Sequence, residues 1–193
     1  MLDYIKGEIV ELTPASVVIE AGSIGYFAQI SLNTYSALTG SKACKLFVYE
    51  AIREDAYQLF GFVEKREREL FLHLISVSGI GANTARMVLS SIAVYELEAI
   101  ITSGNAGALK AVKGIGNKTA ERIIIDLKDK VKISGPATAA QTPALDETAQ
   151  EAVSALTMLG FNQLASQKVV NKLYAEKPAL SVEEIIKNAL KML

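Results

Sequence analysis

Two short segments of this chain repeat each other in their glycine spacing and could bind the same kind of ligand. Residues 77–86 and 112–121 read VSGIGANTAR and VKGIGNKTAE, and six of the ten aligned positions are identical. Each Gly-Ile-Gly triplet lacks side chains that would keep a ligand away from the backbone at its glycines. If a helix follows each triplet, its first N–H groups are unpaired and lie at the positive end of the helix dipole. The repeat therefore predicts two anion sites, suited to two phosphates of one nucleic-acid backbone.

Apolar residues at helical spacing flank both triplets. Leu70, Phe71 and Leu74 precede the first triplet, Val88 and Leu89 follow it, and the second triplet is flanked in the same way. This spacing predicts a helix, a two-glycine turn and a second helix in each copy. A single turn of this kind is often only structural. The duplicated form resembles tandem helix-hairpin-helix motifs, which bind DNA backbones without reading sequence.

The candidate phosphate-binding residues lie in these turns and directly after them. Asn117 and Lys118 follow the second turn, where a side chain can add to a phosphate contact. The first copy has Asn83 in place of Lys118, so its binding would depend more on backbone N–H groups. The predicted DNA-binding residues are Gly79, Gly81, Asn83, Gly114, Gly116, Asn117 and Lys118.

Charge is distributed unevenly along the chain, although the whole carries a net charge of −1. Residues 1–63 have four Lys or Arg against seven Asp or Glu, and residues 136–193 have five against six. Residues 64–135 have eleven against eight. The positive segment contains both glycine turns, which supports a nucleic-acid ligand.

Composition argues against several classes of protein. No apolar run approaches the roughly 20 residues of a membrane span, and the first residues do not have the form of a signal peptide. The single cysteine, Cys44, excludes an internal disulfide and fits a reducing compartment. With one histidine and one cysteine, a zinc or iron site is not expected, and neither is a cofactor. We expect a cytoplasmic protein.

The first 63 residues have the pattern of a small β domain. Short segments rich in β-branched and aromatic residues alternate with turn residues. The predicted strands are Tyr4–Leu12, Ser16–Glu20, Gly25–Ser31, Lys45–Glu50 and Tyr57–Phe62, with a polar interruption around Gly40. Five short strands favour a Greek-key barrel of the oligonucleotide-binding (OB) type. An SH3-like barrel or a structural cap is the alternative.

Two adjacent acidic residues, Glu54 and Asp55, lie between the last two predicted strands, at a predicted hairpin tip. Paired acids at such a tip usually serve only to keep it solvated. In a protein that binds DNA, acids facing the strands would repel phosphates and could separate a duplex. The local sequence leaves both interpretations open.

The remainder of the chain is predicted to be helical, with one interruption. Residues 64–132 form the helix-hairpin-helix domain, and residues 133–148, rich in small and polar residues with two prolines, have the composition of a flexible linker. Residues 149–193 predict a three-helix bundle, with Gly160 ending its first helix. Its predicted helices are Gln150–Leu159, Gln163–Tyr174 and Val182–Met192, and its predicted core is Leu156, Leu159, Phe161, Val169, Leu173, Ile185 and Leu190. A unit this small on a tether is typical of a partner-binding module.

These segments, in this order, resemble the RuvA family, the junction-binding subunits of bacterial branch-migration complexes. The resemblance covers essentially the whole chain. It depends on IKGEI at 5–9, REDAYQLFGF at 53–62, LISVSGIG at 74–81, VKGIGNKTAERIIIDLKDK at 112–130 and ALTMLGF at 155–161. Tandem hairpins occur in many DNA-binding proteins, whereas their combination with the REDAYQLFGF segment and the C-terminal module is far more specific.

The resemblance implies a fold and a function beyond what composition can give. It implies an OB-fold barrel, a tandem helix-hairpin-helix domain and a C-terminal bundle of the UBA-like type. It also implies a homotetramer that holds a four-way Holliday junction open during recombination and repair, with Glu54 and Asp55 as an acidic pin near the crossover. Residues 149–193 would then dock on a RuvB-type hexameric ATPase. A RuvC-type resolvase is a further candidate partner, and pairing of tetramers into octamers is left open.

An enzyme that acts on DNA is the alternative from a different class. Some base-excision glycosylases carry one helix-hairpin-helix with a catalytic lysine and aspartate, roles that Lys118 with Asp126 or Asp129 would have to fill. Against this, the chain has two hairpins and no tryptophan, and no aromatic pocket for a flipped base is evident. A nuclease would need clustered carboxylates, and an ATPase a phosphate-binding loop that this sequence lacks. We therefore predict a non-catalytic DNA-binding subunit, although a stand-alone scaffold stays open.

Overall fold

The chain folds into two compact units, residues 1–135 and residues 136–193. The computed structural model describes residues 1–131, 145–176 and 180–193. Within these ranges the first unit holds a β-barrel and helices, and the second unit is helical. None of the described helices is long and apolar enough to cross a bilayer.

Five strands close into a barrel at the start of the chain, as predicted. They are β1 (Tyr4–Thr13), β2 (Ser16–Ala21), β3 (Ile24–Ile30), β4 (Ala43–Ile52) and β5 (Tyr57–Phe62). Their order around the barrel is β1-β2-β3-β5-β4, and β1 pairs with β4 to close it. Only the pairing of β3 with β5 is parallel. This order confirms the OB-type barrel, and side chains from alternate positions, such as Val17, Ile19, Leu46 and Val48, fill its interior.

A helix that was not predicted connects β3 to β4. This helix, α1 (Leu32–Leu38), replaces the expected polar interruption. Ser31 caps it, because its side chain accepts a hydrogen bond from the N–H of Thr34, and Leu38 is buried against the barrel. A helix of seven residues spans too few turns to produce a recognisable apolar period.

A buried carboxyl group joins this helix to the helical part of the unit. Glu67 is 3% exposed and accepts hydrogen bonds from the hydroxyls of Ser31 and Thr34, the latter at 2.7 Å. Burial raises the pKa of Glu67 above its ordinary value, although the two hydroxyl bonds act in the opposite direction. Glu67 therefore joins α1 to the helix that precedes the first glycine turn, and its ionised form lowers the stability of the folded state.

We expect the stability of this unit to fall as the pH rises through the raised pKa of Glu67. The folded state binds this proton more tightly than the unfolded state, so the penalty is absent below the unfolded pKa and complete above the folded one. The free energy of unfolding should fall by about 1.4 kcal/mol for each unit by which the pKa is raised, and Glu67→Gln should abolish this fall. Urea unfolding of both proteins between acidic and neutral pH measures the difference. Parallel stability curves would contradict the assignment.

The middle of the chain contains the two predicted helix-turn-helix copies. Five helices build this region: α2 (Lys65–Ile75), α3 (Ala82–Ser91), α4 (Val94–Ser103), α5 (Ala106–Lys110) and α6 (Asn117–Leu127). The first turn connects α2 to α3, the second connects α5 to α6, and α4 links the copies. Their apolar faces form one core that includes Leu74, Leu89, Ile101 and Ile123. The tandem helix-hairpin-helix prediction is confirmed.

The barrel and the helices share this core. Phe60 and Phe62 of β5 pack against Phe71 of α2, with ring-centroid distances of 5.3 and 4.9 Å. These aromatic side chains belong to the same buried cluster as the helix-hairpin-helix residues. The segments predicted as separate domains, 1–63 and 64–132, therefore pack as one compact unit.

Two arginines add hydrogen bonds between helices and barrel. Arg68 of α2 contacts Asp3 through both a salt bridge of 2.6 Å and a bond to its backbone oxygen of 2.8 Å. Arg86 of α3 donates from Nη1 to the backbone oxygens of Ala15, at 3.3 Å, and Ile30, at 3.2 Å. The helix that follows the first glycine turn is thus fixed to the barrel.

The second unit is a bundle of three helices with its own core. They are α7 (Leu145–Met158), α8 (Gln163–Glu176) and α9 (Val182–Ala189). Leu156 and Ile185 are fully buried, and Phe161, Val169 and Leu173 pack against them, as predicted. Ser181 and Glu184 form a capping box at the start of α9.

Two residues of the predicted bundle core are instead exposed. Leu159 is 61% exposed and Leu190 is 43% exposed. Both lie just beyond the last residue of a helix, where the chain changes direction and the helical period no longer applies. After α7, Gly160 adopts a φ of 97°, and Phe161 N donates to Leu156 O at 3.1 Å, as in a common helix ending. Phe161 then packs against the core that Leu159 leaves.

The linker was predicted at 133–148, and its residues 133–144 lie outside the described part of the chain. Helix α7 begins at Leu145, so it includes the last four residues assigned to the linker. Apolar periodicity marked the helix only from Gln150. Its first turn has two acidic residues in the sequence, which are favoured at a helix start but give no apolar period.

Candidate nucleic-acid interface

Both Gly-Ile-Gly turns have the same hydrogen-bond pattern. Ile80 N donates to Val77 O, and Ile115 N donates to Val112 O, each at 3.1 Å. All four side chains are buried, with exposures of 6% or less. The repeated valine and isoleucine are therefore explained by packing, because they hold each turn onto the core. The glycines of both turns stay at the surface.

The two glycines of each triplet have different conformations. Gly79 and Gly114 have φ angles of 92° and 93°, in the region that L side chains rarely adopt. Gly81 and Gly116 have φ angles of −90° and −84°, which any residue can adopt. The turn itself requires only the first glycine, so the second glycine needs another explanation.

Open space around the second glycine provides one. Gly81 and Gly116 are the N-caps of α3 and α6, and no side chain caps either helix. A Cβ added at either glycine would have no atom within 4 Å. The side chains of Ser31, Asn105 and Ser181 cap α1, α5 and α9, whereas α2 and α4 also begin without a side-chain cap. The first N–H groups of α3 and α6 are thus accessible to an anion from solvent.

The polar side chains predicted beside the turns are accessible. Asn83 lies in the first turn of α3, Asn117 and Lys118 lie in the first turn of α6, and all three are exposed. Lys113, directly before Gly114, is also exposed and was missed. Its place inside the aligned repeat, where the first copy has a serine, was a signal that could have identified it.

Arg122, a residue that sequence reasoning did not select, connects the two turns. Its Nη1 donates to the backbone oxygen of Ser78 at 3.1 Å, and Ser78 directly precedes Gly79. Arg122 lies on α6, one residue beyond the repeat, so the comparison of the two copies gave no signal for it. The bond therefore joins α6, the helix that follows the second turn, to the edge of the first turn.

Glu54 and Asp55 lie at the tip of the β4–β5 hairpin. Ile52 pairs with Tyr57, and Arg53 N donates to Ala56 O at 2.8 Å, which leaves the two acids at the turn. Both are exposed, and neither takes part in the salt bridges found among the described residues. The tip therefore presents two uncompensated carboxylates to solvent.

The stem of this hairpin is tied to the start of the chain. Glu50 accepts hydrogen bonds from the hydroxyl of Tyr57 and from the N–H of Leu2, both at 2.7 Å. The bond from Tyr57, followed by the bond from Leu2, lowers the pKa of Glu50, and the same contact raises the pKa of the Tyr57 hydroxyl. These bonds hold the stem that carries the acidic tip.

A groove of about 550 Å³ lies between the hairpin stem and the first glycine turn. Its walls include Ile52 and Arg53 from the stem and Ile80, Gly81 and Ala82 from the turn. The hairpin stem below the acidic tip and the first predicted phosphate site therefore line one groove.

The arrangement does not support the catalytic pair considered above. Lys118 and Asp126 lie on the same helix, eight residues apart, a separation of about 12 Å along its axis. Asp129 lies still farther along the chain, beyond the end of α6. In the described residues, no cluster of three or more His, Cys, Asp or Glu side chains could hold a metal ion.

Three family models match successive parts of the chain. A model described as RuvA N terminal domain matches residues 1–61, and one described as SAM-like helix-hairpin-helix tandem matches residues 71–129. A model described as RuvA, C-terminal domain matches residues 147–193. These matches follow the barrel, the tandem turns and the three-helix bundle in order.

Curated relatives match over the full length. A protein of Azobacteroides pseudotrichonymphae is 61% identical over 196 residues, and one of Bacteroides fragilis is 56% identical over 201 residues. A protein of Bacteroides thetaiotaomicron is 55% identical over 201 residues. Each alignment covers 100% of this chain and 100% of the relative, and each relative is named Holliday junction branch migration complex subunit RuvA.

Proposed function

The chain belongs to the RuvA family, and we propose that it binds four-way Holliday junctions in DNA and acts in their branch migration during recombination and repair. One observation carries this proposal beyond the family relationship. Two uncapped glycine turns, joined by Arg122, share a compact unit with an exposed pair of acids at a hairpin tip. Sites for phosphates and a site that repels them suit a branched DNA better than a plain duplex.

Binding through backbone N–H groups is independent of sequence. The turns at Gly79–Gly81 and Gly114–Gly116 contact phosphates of one arm, with Asn83, Asn117 and Lys118 adding side-chain contacts. Phosphate contacts position a protein on DNA but carry no base information. The excess of basic residues between 64 and 135 supplies the general attraction.

The acidic tip acts by repulsion. Glu54 and Asp55 lie where strands converge and exclude the phosphates of a continuous duplex, while the open centre of a junction accommodates them. The tip serves as a pin that keeps the arms apart.

Four copies of the chain form the working assembly, one for each arm, and tetramers can pair as octamers. The C-terminal domain, proposed as 149–193 and preceded by residues 145–148 of α7, recruits a RuvB-type hexameric ATPase. The chain itself is a non-catalytic subunit in the cytoplasm, and a RuvC-type resolvase is a further partner. The C-terminal bundle has a core separate from that of the first unit, which supports an independent role for the bundle.

A gel-shift titration tests the proposal. The purified chain is titrated against a four-way junction and against a linear duplex built from the same arm sequences. We expect tighter binding to the junction, and binding that weakens steeply with salt. Equal affinity for the two DNAs would overturn junction specificity. Cleavage or base release on incubation with divalent metal would favour the enzyme class instead.

Neutralising the acidic tip should relax this preference. We expect Glu54→Gln combined with Asp55→Asn to strengthen binding to linear duplex by roughly tenfold, about 1.4 kcal/mol, because like-charge repulsion is lost. The ratio of duplex to junction dissociation constants measures the effect. Glu11→Gln combined with Glu20→Gln, which removes two exposed acids from β1 and β2, is the matched control for net charge. If the tip variant and the control behave alike, the tip is only solvated.

A further inference from the structure

The bond from Arg122 to Ser78 joins α6, which begins at the second turn, to the first turn at the surface rather than in the core. Arg122 is exposed on α6, and its Nη1 donates to Ser78 O at 3.1 Å. Ser78 is itself exposed and directly precedes Gly79, the glycine with the positive φ. A backbone oxygen at the edge of the first turn is therefore held by a side chain from the helix that follows the second turn.

This contact is not a by-product of the internal repeat. The position equivalent to Arg122 in the first copy is Met87, which has no guanidinium group to offer. The equivalent helix α3 uses Arg86 instead, and that residue donates to the backbone oxygens of Ala15 and Ile30 in the barrel. One arginine thus fixes each helix that follows a turn. Arg86 fixes α3 to the barrel, and Arg122 fixes α6 to the first turn.

The spacing of the two turns matters because they are expected to hold phosphates of the same arm. Two linked contacts strengthen each other only when both can be made at once, and the benefit is lost when the geometry is wrong. On the solvent side, no atoms pack against the four glycines, because a Cβ added at any of them would have no atom within 4 Å. Buried valine and isoleucine side chains anchor both turns to one core, and the bond from α6 to Ser78 adds a restraint on their separation at the surface.

We propose that Arg122 is a positioning residue that sets the separation of the two glycine turns, so that both engage phosphates of one DNA arm simultaneously. The inference rests on the proposed phosphate role of the turns. It assigns to Arg122 no necessary contact with DNA. The coupling between the two sites, and not the strength of either alone, depends on this side chain.

A double-mutant cycle separates positioning from direct contact. Arg122→Met keeps a long apolar side chain and removes the bond, and we expect junction binding to weaken by roughly tenfold, part of the 10²- to 10⁴-fold that a correctly spaced second contact adds. In a Gly81→Val background the same change should add little, and likewise in a Gly116→Val background, because only one turn is then left to align. The two glycine variants alone report the proposed phosphate role, so failure of that role is seen separately.

Each other result overturns the positioning role. The positioning role is overturned if Arg122→Met binds junctions as the wild type does. It is also overturned if Arg122→Met causes the same loss of affinity in both glycine variants as in the wild type. A loss that persists with Gly81→Val but disappears with Gly116→Val indicates a direct phosphate contact at the second turn. Arg122→Lys retains the charge on a shorter side chain, so wild-type binding by this variant would show that charge alone suffices. Lys128→Met, on an exposed cation after α6, is the control for lost charge, and thermal unfolding checks that every variant is folded.

Discussion

Replacing the second glycine of both turns, as Gly81→Val with Gly116→Val, should nearly abolish binding to junction and duplex DNA while the protein stays folded. Both positions have negative φ angles and open space for a Cβ, so valine strains nothing in the protein. Its side chain would occupy the approach to the N–H groups of the next helix. Hydrogen bonds to a charged group contribute about 1.5–3 kcal/mol each, so losing one at each turn weakens binding by on the order of 10²- to 10⁴-fold.

The controls for this result use other residues of the same turn. Gly114→Val should instead lower the unfolding temperature, because it forces a β-branched residue into a positive φ at a cost of about 1–3 kcal/mol. Lys118→Ala should weaken binding only mildly and reduce the slope of log affinity against log salt by about one. Junction binding at the wild-type level by folded Gly116→Val protein would remove the phosphate role from the second turn.

Removing residues 145–193 should abolish motor-driven branch migration and leave junction binding nearly unchanged. The glycine turns, Arg122 and the acidic tip all belong to the first unit, and the deleted helices have a separate core. Under the proposed division of roles, the deletion removes the recruitment of the ATPase, which binding to the C-terminal domain provides by raising the local concentration of the motor. A branch-migration assay with the purified motor, alongside a gel shift, measures both effects.

The same truncated protein tests the division of labour from the other side. For the comparison to hold, the first unit must unfold at the same temperature in the truncated and full-length proteins. Both proteins must also have the same oligomeric state. Loss of junction binding by a folded, correctly assembled truncation would mean that the C-terminal bundle forms part of the DNA site. Motor-driven migration at the full rate would mean that the motor docks elsewhere.

Much of the interface could be predicted from the sequence because its signals are local. The Gly-Ile-Gly repeat identified both turns, and alternation with turn residues located the five strands of the barrel. The acidic pair fell at a hairpin tip because the flanking strands were recognised on both sides. Each of these features is determined by residues close together in the chain.

The features that were missed depend on contacts between distant residues or on very short elements. The bond from Arg122 to Ser78 spans 44 positions, and the bond from Ser31 to Glu67 spans 36, so no local pattern reports either. Helix α1 was too short to show a period, and Leu159 follows a helix whose period stops at its last residue. Burial of Glu67 likewise results from packing of a helix on the barrel, which a charged sequence stretch does not suggest.

The unequal glycines of each turn also have a genetic consequence. Loss of the first glycine, at position 79 or 114, should destabilise the subunit and lower its amount in the cell, so we expect its defect to be recessive. Loss of the second glycine, at 81 or 116, should yield a subunit that folds, joins the proposed tetramer and holds DNA through only one of its two turns. If four subunits assemble at random from equal pools, only about one ring in sixteen contains no defective copy. Alleles at the second glycine should therefore be dominant over the wild type, although both kinds of substitution replace a glycine in the same three-residue turn.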